Sequence, residues 1–344
     1  MSRKILEVKN LATDHDHGNE NGHSHAASQL AETASNYVNS LSSAQKERSL
    51  INYTAGERLF WYYPPLNRRG LPLRDMDENQ RKLAFSLMES TLSEEAYKQA
   101  RLIIEHELVL GPLEAEEGNV GWNRDPELYY WTIFGEPGGN GPWAFRVEGH
   151  HISYQLSIMG DKVISTTPFF FGSNPAEVKK GPKQGLRILS RREDLSFELL
   201  DSLDSGQRST AIVHEKAPWD IYTYNATRAS LPEGEGLSGS RMNGTQKEMF
   251  MSLISEYVNQ VRNDVSKDKM SMIQENGIED FHFSWHGGTT KADKHYYRIH
   301  GGSFIVEFDN FQNDANHVHS VIRDVGNDFA LDVMREHLIM YHID

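Results

Sequence analysis

Ser40-Leu41-Ser42-Ser43-Ala44-Gln45-Lys46 returns later in the same chain as Ser202-Leu203-Asp204-Ser205-Gly206-Gln207-Arg208. One such match can arise by chance, but two more occur in the same order. Gly70-Leu71, Met76, Gln80-Arg81 and Ser86-Leu87 recur with identical internal spacing as Gly236-Leu237, Met242, Gln246-Lys247 and Ser252-Leu253. Gly135 and Arg146 have the spacing of Gly287 and Arg298, after which Arg146-Val147-Glu148-Gly149 aligns with Arg298-Ile299-His300-Gly301. These matches predict an α+β fold built from an internally duplicated unit, helices followed by a small antiparallel sheet, twice. A solenoid needs more copies than two. The expectation is therefore one compact body, with repeats at 28–175 and 176–344 packed about a pseudo-two-fold axis. The alternative is that the halves share only capping and turn chemistry.

Local patterning supports that order of elements. Leu30, Ala34, Tyr37, Val38 and Leu41 form a helical stripe. Asp77 before Gln80 and Asn243 before Gln246 are capping signatures, so helices begin there. Another helix opens at Ser93-Glu94-Glu95. The segments 129–134, 143–147, 152–158 and 162–167 are rich in strand formers, as are 281–285, 296–299, 303–308 and 318–322. The Pro- and Gly-punctuated stretch 167–185 reads as a loop or linker, and 329–341 as a closing helix. Residues 1–27 carry Asp14-His15-Asp16-His17 and His23-Ser24-His25 among Gly, Asn and Glu. They read as a disordered arm, with weak metal binding by its histidines as the sharper alternative.

The chemistry concentrates in Asn316-His317-Val318-His319-Ser320-Val321-Ile322-Arg323-Asp324. On a strand His317 and His319 face the same way, a workable arrangement for two ligands of one ion. The first half offers Ser165-Thr166-Thr167 at the equivalent place. It has His150-His151 where the second half has Gly301-Gly302-Ser303. Each half thus keeps a histidine pair that the other lacks, and halves closing over one cleft can combine them. Adjacent histidines on a regular strand point to opposite faces, so one of His150 and His151 is expected at the site unless a turn re-aims the other. The candidate ligands of a divalent Zn, Cu or Fe ion are His150, His151, His317 and His319, with hydrogen-bonded core histidines as the alternative. Arg323 and Asp324 are candidate partners fixing the imidazoles, or else an ion-pair scaffold with Asp328. Arg298, matched by Arg146, is structural or a carboxylate- or phosphate-binding fork. Glu307 lies among apolar strand residues, so it is functional and paired or sits on the solvent face of an edge strand. His282 and His286 are too far apart along a strand to chelate one ion together.

Composition narrows the function. The chain has 344 residues, a formal charge of −14 and no cysteine. That balance argues against a broad nucleic-acid surface and against anionic membranes. Without cysteine there are no disulfides, thiolate metal sites, iron–sulfur clusters or cysteine nucleophiles. No apolar run is long enough to span a bilayer, and Met1 to Thr13 lacks the apolar core of a signal peptide, so a cytoplasmic protein is expected. No Walker loop, dinucleotide fingerprint, HExxH motif or nucleophile elbow is present. The leading reading is a metal-dependent enzyme acting on a small molecule, redox rather than hydrolytic because no general-base motif is evident. The alternatives are a metal-dependent hydrolase and a non-catalytic ligand- or metal-binding protein. Oligomeric state is not legible.

Several of these motifs occur together in a known pattern. Trp143-x-Phe145-Arg146-x-Glu148-Gly149-His150-His151, Thr167-Pro168-x-Phe170-x-Gly172-x-Asn174-Pro175, Tyr296-Tyr297-Arg298-Ile299 and Asn316-His317-x-His319-x-Val321-x-Arg323-Asp324-x-x-Asn327-Asp328-Phe329 resemble the family catalogued as domain of unknown function 3500. The resemblance covers roughly Arg58 to the C-terminus and implies no activity. The chain departs from the pattern at His286 and Ala330, where a small residue and a glycine are usual. The first departure counts against His286 as an obligatory ligand.

Overall fold

The computed structural model describes residues 21–119, 121–332 and 335. The first half contains α1 (Asn21–Ser40), α2 (Ser43–Ser49), β1 (Leu50–Ile51), β2 (Leu71–Pro72), α3 (Glu78–Thr91), α4 (Glu94–Glu116), β3 (Tyr130–Phe134), β4 (Trp143–Gly149), β5 (Ile152–Met159), β6 (Lys162–Ser165) and β7 (Phe169–Ser173). The second contains α5 (Ser190–Ser202), α6 (Ser205–Ala211), β8 (Ile212–His214), β9 (Leu237–Ser238), α7 (Gly244–Val258), α8 (Asn263–Asn276), β10 (His282–Gly287), β11 (His295–Gly301), β12 (Phe304–Asn310) and β13 (Val318–Asp324). The fold is α+β. Among the described residues no helix is long and apolar enough to cross a membrane.

All the strands join one 13-stranded sheet, whose main path is β1-β3-β4-β5-β7-β13-β12-β11-β10-β8. From the central β7–β13 pair outward, each side runs through three antiparallel partners to a short parallel edge strand. Strand alternation divides the sheet into two faces. Trp131, Phe145, Tyr154, Phe169, Ile322, Val306, Tyr297 and Trp285 point to one face and join the helices in the main core. The opposite face carries Arg146, Glu148, Gln155, His319, Arg323, Glu307, Asp309 and Arg298, all buried. Two long loops cover it. Arg146 donates to Glu57 O and Phe60 O, while Arg323 and Arg298 donate to Ala226 O and Pro232 O. Where the loops meet over the sheet centre, Trp61, Tyr63, Phe170, Ile221, Val321 and Phe329 form a second apolar cluster. This double cover explains why charged residues alternate with aromatics in fully buried strands.

The residues that recur in the sequence make the same lock in each half. Asp77 and Asn243 accept from the backbone of Gln80 and Gln246, whose side chains accept in return from the cap N–H groups. Gln80 Nε2 then donates to Ser40 O at 2.9 Å, and Gln246 Nε2 to Ser202 O at 2.8 Å. Gln45 and Gln207 donate to those same glutamines, each at 2.9 Å. Asp77→Ala and Asn243→Ala are each expected to cost about 1 kcal/mol, measured as similar drops in urea midpoint.

Two sequence expectations need correction. The stretch 167–185 contains β7, a central strand paired on both sides. Pro168 and Pro175 suggest a loop, but both lie just outside the ladder, where no donor is needed. Residues 21–27, expected in the polar arm, open α1. There Ala26 and Ala27 are buried because they extend the stripe of Leu30, Ala34 and Tyr37. The rest of the expected arm lies outside the described residues. The expected closing helix starts slightly later than 329: Asp328–Ala330 form a 3-10 turn, Leu331, Asp332 and Arg335 are helical, and the remaining residues to 341 lie outside the described set.

Candidate metal centre

The histidines meet on the loop-covered face, at the seam between the halves. In the register of β13, His319 lies opposite Gly172 of β7 and Asp309 of β12. His317 immediately precedes the strand. His150 and His151 form the turn between β4 and β5. His151 has φ 63, the left-handed conformation that L-residues adopt at a cost. That turn overrides the strand alternation, and the two rings lie together with centroids 3.7 Å apart. The backbone of His151 is held by Tyr63 O at 3.1 Å and by Gly172 N–H at 2.9 Å. A Cβ on Gly172 would stand 2.6 Å from the His151 ring, so the ring occupies the space a side chain would need.

His151 Nε2 and His317 Nε2 are 2.8 Å apart. The His317 and His319 centroids are separated by 4.6 Å, and those of His151 and His319 by 5.4 Å. One nitrogen from each of the three rings lies within 4.8 Å of the others, so this group could hold a metal ion. Two imidazole nitrogens bound at about 2.0–2.1 Å would be about 2.9–3.4 Å apart, close to the separation of the first pair. Burial, then the neighbouring imidazoles, holds His151 and His317 well below the usual histidine range. They are therefore neutral, the form that coordinates. His319 Nδ1 donates to Asp220 Oδ1 at 2.7 Å, and Asp220 Oδ2 accepts from Tyr63 Oη at 3.1 Å. Asp220, Asp309 and His319 form a second group that could coordinate a metal. Asp309 is fully buried, and its Oδ1 has no hydrogen-bond partner among the described residues.

His150 is bound elsewhere. Its Nδ1 meets Glu107 of α4, and Arg124 lies 3.2 Å from the ring while forming a paired contact with Glu114. Burial pushes the Glu107 carboxyl up to about 7 and His150 well down. The pair therefore carries one proton when folded. The unfolded chain also binds one proton on these groups between their ordinary values, 4.5 and 6.5, so their contributions to pH-dependent stability cancel there. Glu107→Gln should expose the histidine alone. Its folded pKa lies below its unfolded one, so the variant should lose stability as pH falls through about 6.5. Urea midpoints across that range should slope for the variant more steeply than for the parent.

The other candidates have different surroundings. Glu307 is fully buried in an interior strand, not on a solvent face. It accepts from the N–H groups of Tyr222 and Thr223, the Thr223 hydroxyl and Tyr296 Oη. It thereby fixes the loop that carries Asp220. Arg323 pairs with Asp328 at 2.6 Å and lies over the Trp61 ring. Asp324 accepts from the backbone of Gly326 and Asn327. Arg298 pairs with Glu235. Neither Asp324 nor Glu307 holds a ring nitrogen of the cluster; for His319 that partner is Asp220. Sequence reasoning missed Asp220, Glu107 and Arg124, and it met Gly172 only within the family pattern, with no role assigned. Only Gly172 left a signal, a glycine between a Phe-rich run and Asn174-Pro175.

A pocket of about 380 Å³ opens onto His150, His151, His317, His319 and Asp220. The sheet with its buried polar face, and the histidine seam at its centre, place the chain among α+β proteins with a candidate metal-binding pocket. The chain belongs to the family described as protein of unknown function (DUF3500), whose pattern matches residues 23–331. No curated protein and no solved structure matches it.

Proposed function

We propose that the chain is a metal-dependent enzyme acting on a small molecule, with its ion held by His151, His317 and His319. The observation that carries this reading is the convergence of three imidazoles from both halves, His151 and His319 buried and His317 half-buried, with the Nε2 atoms of His151 and His317 2.8 Å apart. Asp220 keeps a proton on Nδ1 of His319, which directs its Nε2 to the cluster. When bound, a copper or iron ion would supply electron transfer to a substrate in the pocket. Redox chemistry is favoured because Asp220 is already engaged by His319, Tyr63 and the Ile221 N–H, and His150 by Glu107. Neither is free to serve as a general base. The free oxygen of Asp309 favours a second reading, metal-dependent hydrolysis. We assign Glu307 and Arg323 to positioning the covering loops, and Arg298 and Asp324 to holding neighbouring backbone.

We also read the chain as an internal duplication. The recurring glutamine locks and the matched strand order on either side of β7–β13 support it.

Metal analysis and electron paramagnetic resonance of protein purified without an affinity tag test the functional reading. About one copper or iron per chain is expected. Zinc alone would favour hydrolysis, and failure to retain or take up any of these ions would end both readings.

A further inference from the structure

The chain has six tryptophans. Trp61, Trp131, Trp143 and Trp285 are buried, at 0–2% exposure. Trp122 and Trp219 are 48% and 62% exposed, and both line the histidine pocket. Leu66 and Tyr224, also exposed, line it too, so four of the eight exposed large hydrophobics among the described residues gather there. Trp122 comes from the first half and Trp219 from the second, and Tyr62 Oη and Tyr224 Oη meet at 2.8 Å across the same seam. Leaving large aromatic surface in water is unfavourable, and its concentration at one pocket marks a binding surface.

Charge narrows the ligand. Arg124 spends its guanidinium on both Glu114 oxygens, at 2.6 and 2.7 Å, and on His150. Both Asp220 oxygens already accept hydrogen bonds. Among the described residues no lysine lines the pocket. The side chains of the pocket therefore offer an ionic ligand no free counter-charge, and in the metal-free protein such a ligand would leave water uncompensated. A sugar, with hydroxyls around its ring, needs many free polar partners, whereas eight of the fifteen lining residues are tryptophan, tyrosine, proline or leucine and Arg124, Asp220, His150 and His319 are already engaged with one another or with neighbours.

The geometry points to a neutral aromatic ring as the substrate class, stacked on Trp122 and Trp219 with its reactive edge toward the histidines. This rests on the reading of that pocket as the functional site. Calorimetry on chelator-treated protein, with metal content measured before treatment, tests it with three probes: 2-naphthol, the carboxylate 2-naphthoate, and methyl glucoside. Expected is saturable 2-naphthol binding, with 2-naphthoate and methyl glucoside at least about tenfold weaker. The double variant Trp122→Ala, Trp219→Ala should bind 2-naphthol about tenfold or more weakly, while Trp→Phe at both places keeps most of the affinity. Thermal midpoints should stay near the parent's, because both side chains are exposed. Unchanged affinity in the double alanine variant, no 2-naphthol binding by the parent, or tighter binding of either other probe would overturn the inference. Metal content of the same samples before treatment separates the two readings. Tryptophan-dependent naphthol binding without metal leaves the ring inference standing and removes the metal reading. Metal without such binding removes the ring inference alone.

Discussion

His319→Ala is expected to abolish binding of the proposed metal ion while the sheet remains folded. His319 belongs to both groups that could coordinate a metal, so its loss leaves His151 and His317 as a two-nitrogen set. The fold should survive because β13 is held on both sides by ladders of β7 and β12. The local cost is still real. The ring packs on Tyr63 and Phe170, with centroids at 4.9 and 5.5 Å, and Asp220 loses its nearest side-chain donor. A loss of about 2–3 kcal/mol is expected from the cavity and the unpaired acceptor. His319→Gln, which keeps a donor toward Asp220, separates ligand loss from that strain. Asp220→Asn should be milder, weakening metal affinity about 10–100-fold because it disturbs the ring without removing it. Metal content and thermal midpoints of the three variants check this. Full metal retention by His319→Ala would refute a site built on that imidazole.

The strands were legible where alternation met strand-forming residues. In β11 and β12 the residues Tyr297, Ile299, Val306 and Phe308 mark the helix-facing side, and β13 announces the spacing of its two histidines. β7 was hidden because Phe169, Phe170 and Phe171 stand between prolines that lie outside the ladder. Adjacent histidines on one strand should diverge. His151 does not, since its positive φ depends on Tyr63 and Gly172, which the local sequence does not bring to it. The partners were hidden for a related reason. Asp220 is 99 residues from His319, and Glu107 is 43 from His150. One lies in a covering loop and one on a helix, so only the packing of those elements reveals them. Glu307 was legible as an unusual carboxylate, but its role depends on a loop 84–85 residues away.

That role carries the other large expected effect. One buried carboxylate accepts from two backbone N–H groups and two hydroxyls. Burial pushes Glu307 up from the usual carboxylate range, and the donors from Thr223, Tyr296 and Tyr222 oppose the shift. Glu307→Ala leaves all four donors without their acceptor beneath the loop. The backbone groups cannot turn away without moving the segment itself. A destabilisation of about 3–4 kcal/mol is expected. Glutamine should not rescue it fully, because its amide nitrogen must face donors on one side. The effect should also reach the histidines. Tyr222 and Thr223 come two and three residues after Asp220 in the chain, so releasing them frees the carboxylate that orients His319. Metal affinity should then fall by about 10–100-fold, as for the loss of Asp220 itself. Thr223→Val removes a single hydroxyl donor, needs no backbone movement, and should change both quantities little. Urea unfolding combined with competition against a metal chelator measures the two effects together. A large stability loss with unchanged metal affinity would mean that Glu307 supports the loop without setting the site. Loss of both in Glu307→Ala, with neither in Thr223→Val, would tie the buried clamp to the orientation of His319.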